Sequence, residues 1–311
     1  MKQDALISRQ SIKKIFSSYH LPQPTLLREI KTGLTNPVFV ADEKFVLRID
    51  TSHSEKDPNK FEKEAFLYTL LAKFDIPVPK LIVFDNSKKI IDYEFLLLSY
   101  IEGETLEQSF PLQSTQDQTS LCSQLGELAH KIHSVPLSAL AAREKLLRKE
   151  KNWSETVRDE HLEYFSLVVE KDYLPAQTVT MITDTFKQFS QLKMPRGNES
   201  LVHGDFSPSN IQVKNGQIVG IFDFEFATLG DPFYDLQKIP AQFQLGENFD
   251  TNLFWKGYEK SDLNSEEKLR LQMYCLNQGL WEIWATETQR FPFGEKQIAE
   301  GQELIRIALE L

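Results

Sequence analysis

The amino-acid sequence predicts an α+β chain built from a small β-sheet lobe followed by a mainly helical lobe. The chain has 311 residues, a length that favours two lobes over a single domain. Short strand-like runs fill the first hundred residues, whereas helical periodicity dominates after Gly103. We therefore expect one lobe over residues 1–101 and a second lobe over residues 102–311.

The first lobe is predicted to hold a small sheet and one main helix. Apolar runs indicate short strands, and Asp42-Glu43-Lys44 between two of them is typical of a hairpin turn. The prolines of IPVPKLIVF end the main helix, because the residue before a proline avoids the helical region. The predicted helices cover residues 7–18 and 58–74, and the predicted strands cover residues 24–31, 36–41, 44–50 and 90–100.

The second lobe is predicted to be helical apart from one β-rich segment over residues 200–226. Within that segment Asn215-Gly216 favours a tight hairpin turn, because both residue types tolerate a positive φ. From Asp231 onward the chain is again predicted to be mostly helical. The earlier helices of this lobe are predicted over residues 117–134, 155–170 and 177–192.

Charge and composition argue against several classes of protein. A net charge of −10 argues against nucleic-acid binding. No apolar run is long enough to cross a bilayer, and the polar start MKQDALISRQSIKKIF is unlike a signal peptide. We therefore expect no membrane association and a cytoplasmic location. The two distant cysteines, Cys122 and Cys275, are predicted to be buried, reduced thiols rather than a disulfide framework or a metal site.

Acidic charge is concentrated in the second lobe. Residues 1–102 hold 15 basic and 14 acidic side chains, whereas residues 103–311 hold 20 basic and 31 acidic ones. Such an excess can be an ordinary solvated surface. It can also attract a cationic substrate or a metal ion. The charge pattern leaves both interpretations open.

The segment H-G-D-F-S-P-S-N over residues 203–210 carries the strongest chemical signal. Asp205 and Asn210 lie five residues apart in a predicted loop, and Asp223 ends a predicted strand further on. Phosphoryl transfer needs a carboxylate that orients and deprotonates a hydroxyl, together with oxygen ligands for Mg²⁺. A lone Asp-x-x-x-x-Asn would indicate only a polar turn. The full set, in this order, predicts a phosphotransfer site.

These residues resemble those of the aminoglycoside phosphotransferases and choline kinases, which share a protein-kinase-like fold. The resemblance covers nearly the whole chain and is carried by LVHGDFSPSNIQV and IVGIFDFEFATLGDPFYDL. It implies an enzyme that moves the γ-phosphate of ATP to a hydroxyl of a small molecule, with GTP as an open alternative. It also implies Asp205 as the catalytic base, Asn210 and Asp223 as Mg²⁺ ligands, and His203 as a support of the loop.

The resemblance also assigns the first lobe to nucleotide binding. Arg48 stands where kinases carry a strand lysine that contacts phosphates, and Glu64 is its expected partner on the main helix. Arginine departs from the lysine pattern but binds phosphate bidentately. The T-G-L-T-N loop would cover the phosphates, and backbone groups after the last strand would contact adenine. The residues assigned to the nucleotide are Gly33, Thr35, Arg48, Glu64, Ser99 and Ile101.

The sequence predicts the acceptor molecule less specifically than it predicts the type of reaction. Trp281 and Trp284 occupy a place similar to a W-x-x-W pair in choline kinases, where aromatic rings surround a quaternary ammonium. The same rings can equally be a core stripe of a helix. Gly204 and the GDPFYDL segment favour an aminoglycoside phosphotransferase over a choline or ethanolamine kinase. Glu225 either adds charge near the metal or is an acid at a strand end.

Two hypotheses from other classes are a nucleotide-binding pseudokinase and a protein kinase. The intact Asp205, Asn210 and Asp223 argue against a pseudokinase. The absence of an A-P-E segment after Asp223 argues against a protein kinase. The expected partner is thus a small-molecule alcohol, and a cationic one would suit the acidic second lobe.

Three further polar residues are predicted to be structural. Asp231 precedes Pro232 and suits an N-cap with proline at the first helical position. Asp235 is expected to hold the segment after Asp223. His133, in an H-x-x-H spacing with His130, lacks further metal ligands nearby in sequence and is predicted to pack in the core.

Overall fold

The computed structural model describes residues 7–30, 36–51, 59–148, 152–192, 199–288 and 294–311. The chain divides into two compact units. The first comprises Met1–Gly103 and Val219–Glu225, and the second comprises Glu104–Ile218 and Phe226–Leu311. The predicted α+β class is confirmed, with a small sheet in the first unit and mainly helices in the second. Each of the two units combines two separate stretches of the chain, whereas the predicted lobes are the contiguous ranges 1–101 and 102–311.

The first unit is built on a five-stranded antiparallel sheet with the strand order β1-β2-β3-β5-β4. One helix precedes the sheet in sequence, and the main helix follows β3. The strands are β1 (Leu27–Ile30), β2 (Val38–Ala41), β3 (Phe45–Ile49), β4 (Leu81–Asp85) and β5 (Phe95–Ser99), and the helices are α1 (Arg9–Ser18) and α2 (Lys60–Leu71).

The predicted hairpin turn between β2 and β3 is confirmed. Asp42 and Glu43 both have φ of 52°, and the Lys44 N–H donates to the Ala41 carbonyl at 3.0 Å. Two consecutive residues with positive φ match the twist of a tight hairpin. The Asp42 carboxylate accepts hydrogen bonds from the backbone N–H groups of Thr25 and Leu26, which ties the turn to the chain before β1.

Strand alternation places Arg48 on the face of the sheet opposite α1. Leu47 and Ile49 of β3 lie in one apolar cluster with Ile15 and Phe16 of α1. Successive side chains of a strand point to opposite faces, so Arg48 between them points away from that cluster. Arg48 is nevertheless buried, with 8% of its surface exposed, and therefore needs counter-charges.

The second unit packs its helices around α10, whose apolar side chains contact those of α7, α8 and α11. Short strands form a two-stranded pair of β7 with β10 and a sheet of order β6-β8-β9. The helices are α3 (Leu106–Ser109), α4 (Thr115–His133), α5 (Leu137–Leu140), α6 (Glu144–Leu147), α7 (Trp153–Glu170), α8 (Ala176–Phe189), α9 (Thr251–Gly257), α10 (Ser265–Glu287) and α11 (Glu295–Leu309). The strands that follow β5 in the chain are β6 (Glu104–Thr105), β7 (Ser200–Val202), β8 (Ile211–Lys214), β9 (Gln217–Ile221), whose residues from Val219 onward belong to the first unit, and β10 (Thr228–Gly230).

The predicted turn between β8 and β9 is also confirmed, with positive φ at Asn215 and Gly216. The prediction after Asp231 is less accurate, because the next α-helix begins only at Thr251. Before it lies a 3₁₀ turn, Gln242–Gln244, whose three residues all have positive φ. Its central residue, Phe243, is fully buried against Phe206, with 5.5 Å between ring centroids. Aromatic packing thus overrides local backbone preference here.

A buried histidine links α7, α8 and α10. His161 lies between the rings of Phe165 and Phe186, with ring centroids 5.2 and 4.2 Å away, and its Nδ1 is 2.8 Å from the Asn277 side-chain oxygen. The carboxamide oxygen can only accept, so Nδ1 carries the proton. Burial lowers the pKa of His161 to about 4, although the bond to Asn277 opposes this. The ring is therefore neutral in the folded protein at physiological pH.

We expect His161 to make the protein less stable as the pH falls from about 6.5 to about 4. In that window the unfolded chain protonates this histidine and the folded chain does not, so acid favours unfolding. The loss should approach roughly 3 kcal/mol at the acid end. Urea denaturation of wild type and His161→Gln across this range checks it. The variant should gain stability relative to wild type as the pH falls, and a constant difference would contradict the assignment.

Both cysteines are free and buried, as predicted. Among the described residues, every helix is too short or too polar to cross a membrane.

Candidate active site

The predicted catalytic loop lies in the second unit, directly after β7. Asp205 is partly buried, and the Asn210 side-chain amide donates to the Asp205 carbonyl at 3.0 Å and to its carboxylate Oδ2 at 2.8 Å. The 3₁₀ turn Pro208–Asn210 brings Asn210 back to Asp205. The five-residue spacing therefore places the carboxylate and the carboxamide side by side.

Asp235 holds the backbone of the loop. Its carboxylate accepts from the N–H of His203 at 2.7 Å and from the N–H of Gly204 at 2.9 Å. The His203 ring, itself fully buried, accepts from the Asp205 N–H at 3.2 Å. Asp235 is structural as predicted, but it holds the backbone before Asp205 rather than the segment after Asp223. Two carboxylate bonds to consecutive backbone amides fix the direction in which the next residue, Asp205, leaves the strand.

Asp231 has the predicted capping role. Its carboxylate accepts from the Phe233 N–H at 3.1 Å and so caps the 3₁₀ turn Pro232–Tyr234. The other carboxylate oxygen accepts from Arg270 at 3.1 Å and from the Tyr274 hydroxyl at 2.9 Å. Both carboxylate oxygens of Asp231 are therefore engaged in hydrogen bonds that stabilise the fold.

His133 has a role that sequence reasoning missed. Its Nε2 lies 3.0 Å from the Asp235 carboxylate and its Nδ1 lies 2.8 Å from the Tyr258 hydroxyl. A carboxylate accepts only, so Nε2 donates to Asp235. The predicted packing role is therefore incomplete, because His133 also orients the carboxylate that holds the loop. The contact joins residues 102 positions apart, and no local pattern in the sequence indicates it.

Gly204 has a backbone conformation that few other residues adopt. Its φ is +85°, and a Cβ atom built there would lie 2.4 Å from the Phe226 carbonyl oxygen. Real Cβ atoms do not approach backbone so closely. The glycine before Asp205 is therefore required by both backbone conformation and space.

A second group of predicted residues lies in the first unit. Arg48 of β3 donates from Nη1 to Glu64 of α2 and from Nη2 to Asp223 at 2.8 Å, and Nη2 is 3.8 Å from Glu225. The predicted pairing of Arg48 with Glu64 is confirmed. Burial alone would lower the pKa of Arg48, but Asp223 and Glu64 raise it well above its usual value. Arg48 therefore remains charged.

Tyr68 fixes two members of this group. Its hydroxyl donates to the Glu64 carboxylate at 2.9 Å and accepts from the Asp223 N–H at 3.1 Å. Asp223 has a φ of 71°, which is uncommon for a residue with a side chain. Strained conformations of this kind persist where the surroundings impose them and are frequent at functional sites.

The acidic side chains of this group could hold a cation. One carboxylate oxygen from each of Glu64, Asp223 and Glu225 lies within 4.8 Å of the others. Burial raises the pKa of Glu225, and the neighbouring Asp223 raises it further. Burial also raises the pKa of Glu64, and the Arg48 guanidinium opposes that rise. Carboxylate oxygens are the ligands that Mg²⁺ prefers, so the donor set fits that ion.

The other four residues predicted to bind the nucleotide are Gly33, Thr35, Ser99 and Ile101. Gly33 and Thr35 lie outside the described residues. Ser99 exchanges backbone and side-chain hydrogen bonds with Lys80, both at 2.9 Å, and Ile101 is partly buried.

The two tryptophans of α10 differ in exposure. Trp284 is 5% exposed and packs against Tyr164 of α7, with ring centroids 5.0 Å apart. Trp281 is only partly buried. The structure thus places Trp284 in the core of the second unit and leaves Trp281 nearer the surface.

Comparison with known proteins gives a family match and a consistent fold. Residues 27–263 match the model of the phosphotransferase enzyme family. The GDP and kanamycin complex of APH(2″)-IIIa is similar in structure, with a TM-score of 0.74, 18% identity, and coverage of 97% of this chain and 98% of that one. The streptomycin–ATP–APH(2″)-IIa ternary complex has a TM-score of 0.63, 18% identity, and coverage of 98% and 97%. These likenesses confirm the predicted kinase-like fold.

Curated relatives are longer proteins. Acyl-CoA dehydrogenase family member 10 of Mus musculus is 26% identical over 281 residues, which cover 84% of this chain and 24% of the relative. Acyl-CoA dehydrogenase family member 11 of Homo sapiens is 22% identical over 269 residues, covering 82% of this chain and 32% of the relative. The chain thus spans about a quarter to a third of the length of these relatives.

Proposed function

Because the chain belongs to the phosphotransferase enzyme family, we propose that it transfers the γ-phosphate of ATP to a hydroxyl group of a small molecule. The observation that carries this proposal is the contact between Asp205 and Asn210 in a loop whose backbone is held by Asp235. A carboxylate so fixed is suited to orient a hydroxyl and accept its proton.

The proposed roles follow from the chemistry of each side chain. Asp205 is the general base. Asn210 and Asp223 offer oxygen ligands for Mg²⁺, which when bound would neutralise charge on the phosphates. Arg48, held by Glu64, is a permanent cation that can bind phosphate oxygens bidentately.

The nucleotide and the acceptor are proposed at the level of class. The similar structures carry GDP in one case and ATP in another, so GTP is the alternative to ATP. One of these structures is a complex with kanamycin and the other is a complex with streptomycin. These two antibiotics support a polyhydroxylated, cationic acceptor for this chain. A choline-type kinase would need an aromatic cage, and Trp284 with 5% exposure is poorly placed to form one. A pseudokinase is disfavoured because Asp205, Asn210 and Asp223 are all present.

A coupled ADP-release screen tests the proposal. The acceptors are aminoglycosides, choline, ethanolamine, homoserine and simple sugars, each with Mg·ATP and with Mg·GTP, and Asp205→Ala serves as the blank. We expect at least one acceptor to raise the release of nucleoside diphosphate, ADP from ATP or GDP from GTP, above the acceptor-free rate in wild type only. Nucleotide binding with no acceptor-dependent release across a broad panel would favour the pseudokinase.

His133 should affect the turnover number rather than nucleotide affinity, because it acts through Asp235. Replacing it with Gln keeps a nitrogen near Nε2 that can donate to Asp235, whereas Asn is too short to reach. We expect His133→Asn to lower kcat roughly 10- to 100-fold with little change in the KM for nucleotide, since small misplacements of catalytic groups have effects of that size. His133→Gln should retain most of the activity. Equal losses in both variants would show that the histidine only fills space.

A further inference from the structure

The group around Arg48 combines one guanidinium with three carboxyl groups. One guanidinium contacts the carboxylates of Glu64, Asp223 and Glu225. Guanidinium presents five N–H donors in a flat fork, whereas the ammonium of lysine is a compact charge. The arginine at this strand position therefore lets one side chain reach three acids at once, which explains the departure from lysine.

Two oxygens of this group lack a hydrogen-bond partner. Among the residues described, Glu64 Oε1 and Glu225 Oε2 are buried and accept no hydrogen bond. The Glu225 side chain is 9% exposed, and that of Glu64 is fully buried. A buried carboxylate oxygen without a donor is costly, so such atoms mark a place for an additional ligand. The ligand that three converging carboxylates favour is a divalent cation.

We propose that Glu225 is a divalent-cation ligand alongside Asp223, and that Arg48 blocks this site until phosphate oxygens draw its guanidinium away. While Arg48 bonds to Asp223 at 2.8 Å, a cation bound there would lie close to a fixed positive charge. Phosphate oxygens offer the guanidinium bidentate acceptors and so release Asp223 and Glu225. Cation binding then depends on nucleotide binding. The requirement for a bound nucleotide in this inference rests on the proposed function.

Direct Mn²⁺ titration of the full chain, followed by electron paramagnetic resonance of free Mn²⁺, tests the inference without any acceptor. The gain in Mn²⁺ affinity that saturating ADP produces, after correction for the Mn²⁺ held by ADP alone, should be at least about tenfold larger in wild type than in Arg48→Lys. Arg48→Lys should bind Mn²⁺ about tenfold more tightly than wild type without nucleotide, because the shorter side chain releases Asp223 and Glu225. Glu225→Gln should weaken Mn²⁺ binding about tenfold in the presence of ADP. Glu29→Gln, an exposed acid of the first unit, is the matched control.

Several outcomes would overturn the inference. If Arg48→Lys binds Mn²⁺ no more tightly than wild type without nucleotide, Arg48 does not block the site. If Glu225→Gln matches the Glu29→Gln control with ADP, Glu225 is not a ligand.

Because ADP itself binds Mn²⁺, only differences between variants are compared. Thermal melts confirm folding, and Glu225→Asp, which keeps the charge, replaces Glu225→Gln if that variant unfolds. Failure to bind any nucleotide would contradict the proposed function, whereas the nucleotide-free comparison would still decide the role of Arg48.

Discussion

Replacing Asp205 with Asn should lower phosphoryl transfer by roughly 10²- to 10⁴-fold, the range expected for loss of a general base. The carboxamide has nearly the same shape, and its oxygen can still accept from Asn210 at the position now occupied by Oδ2. The loop should therefore keep its geometry, while the side chain can no longer accept a proton from the acceptor hydroxyl. ADP release with a productive acceptor gives the rate.

The matched control is Asp262→Asn, which makes the same change at an exposed position of the second unit. It should leave the rate unchanged. ATP affinity of Asp205→Asn, measured by calorimetry, should remain within a few-fold of wild type, so that the loss lies in the chemical step. Turnover of Asp205→Asn at the wild-type rate would show that Asp205 is not the base.

Gly204→Ala should have the largest effect on stability of any single methyl addition in the loop. The positive φ disfavours a side chain by about 1–2 kcal/mol, and the new methyl would meet the Phe226 carbonyl oxygen at 2.4 Å. Relieving a clash of this kind costs about 1–3 kcal/mol more. Because Gly204 and Asp205 are adjacent, the shift needed to relieve it also moves the base. We expect a loss of roughly 2–5 kcal/mol in stability together with near-complete loss of turnover.

Gly246→Ala separates the cost of a side chain at positive φ from the cost of the steric clash. Gly246 has a similar φ of +89°, but a Cβ atom there meets nothing within 4 Å. Its substitution should cost only the conformational part, about 1–2 kcal/mol, and should leave turnover intact. Urea denaturation of both variants gives the comparison. Equal stability of Gly204→Ala and Gly246→Ala would mean that the loop can move without penalty and that Gly204 is not required.

Local features of the fold could be predicted from the sequence. Asp42-Glu43 and Asn215-Gly216 are short polar segments between strand-like runs, and both pairs form tight turns with positive φ. The family resemblance, rather than a local signal, predicts the observed pairing of Arg48 with Glu64. Helical periodicity identifies α2 itself. These signals are short-range and depend on backbone preference or helical spacing, which the sequence records directly.

Contacts between distant segments could not be predicted in the same way. The assignment of Val219–Glu225 to the first unit depends on which surfaces that segment buries, and no composition change marks it. The contact of His133 with Asp235 spans 102 positions and depends on how α4 lies beside β7. The left-handed turn at Phe243 contains no glycine and is imposed by packing against Phe206.

Phosphorus NMR of the complete reaction tests the central claim most directly. With wild type, Mg·ATP and an acceptor found by ADP release, the spectrum should show a new phosphate monoester on the acceptor, growing as the γ-phosphate signal of ATP declines. Asp205→Asn should give no such signal over the same time, although it still binds ATP. If wild type yields only inorganic phosphate, or if Asp205→Asn forms the ester at the wild-type rate, phosphoryl transfer to a small-molecule hydroxyl through Asp205 is contradicted.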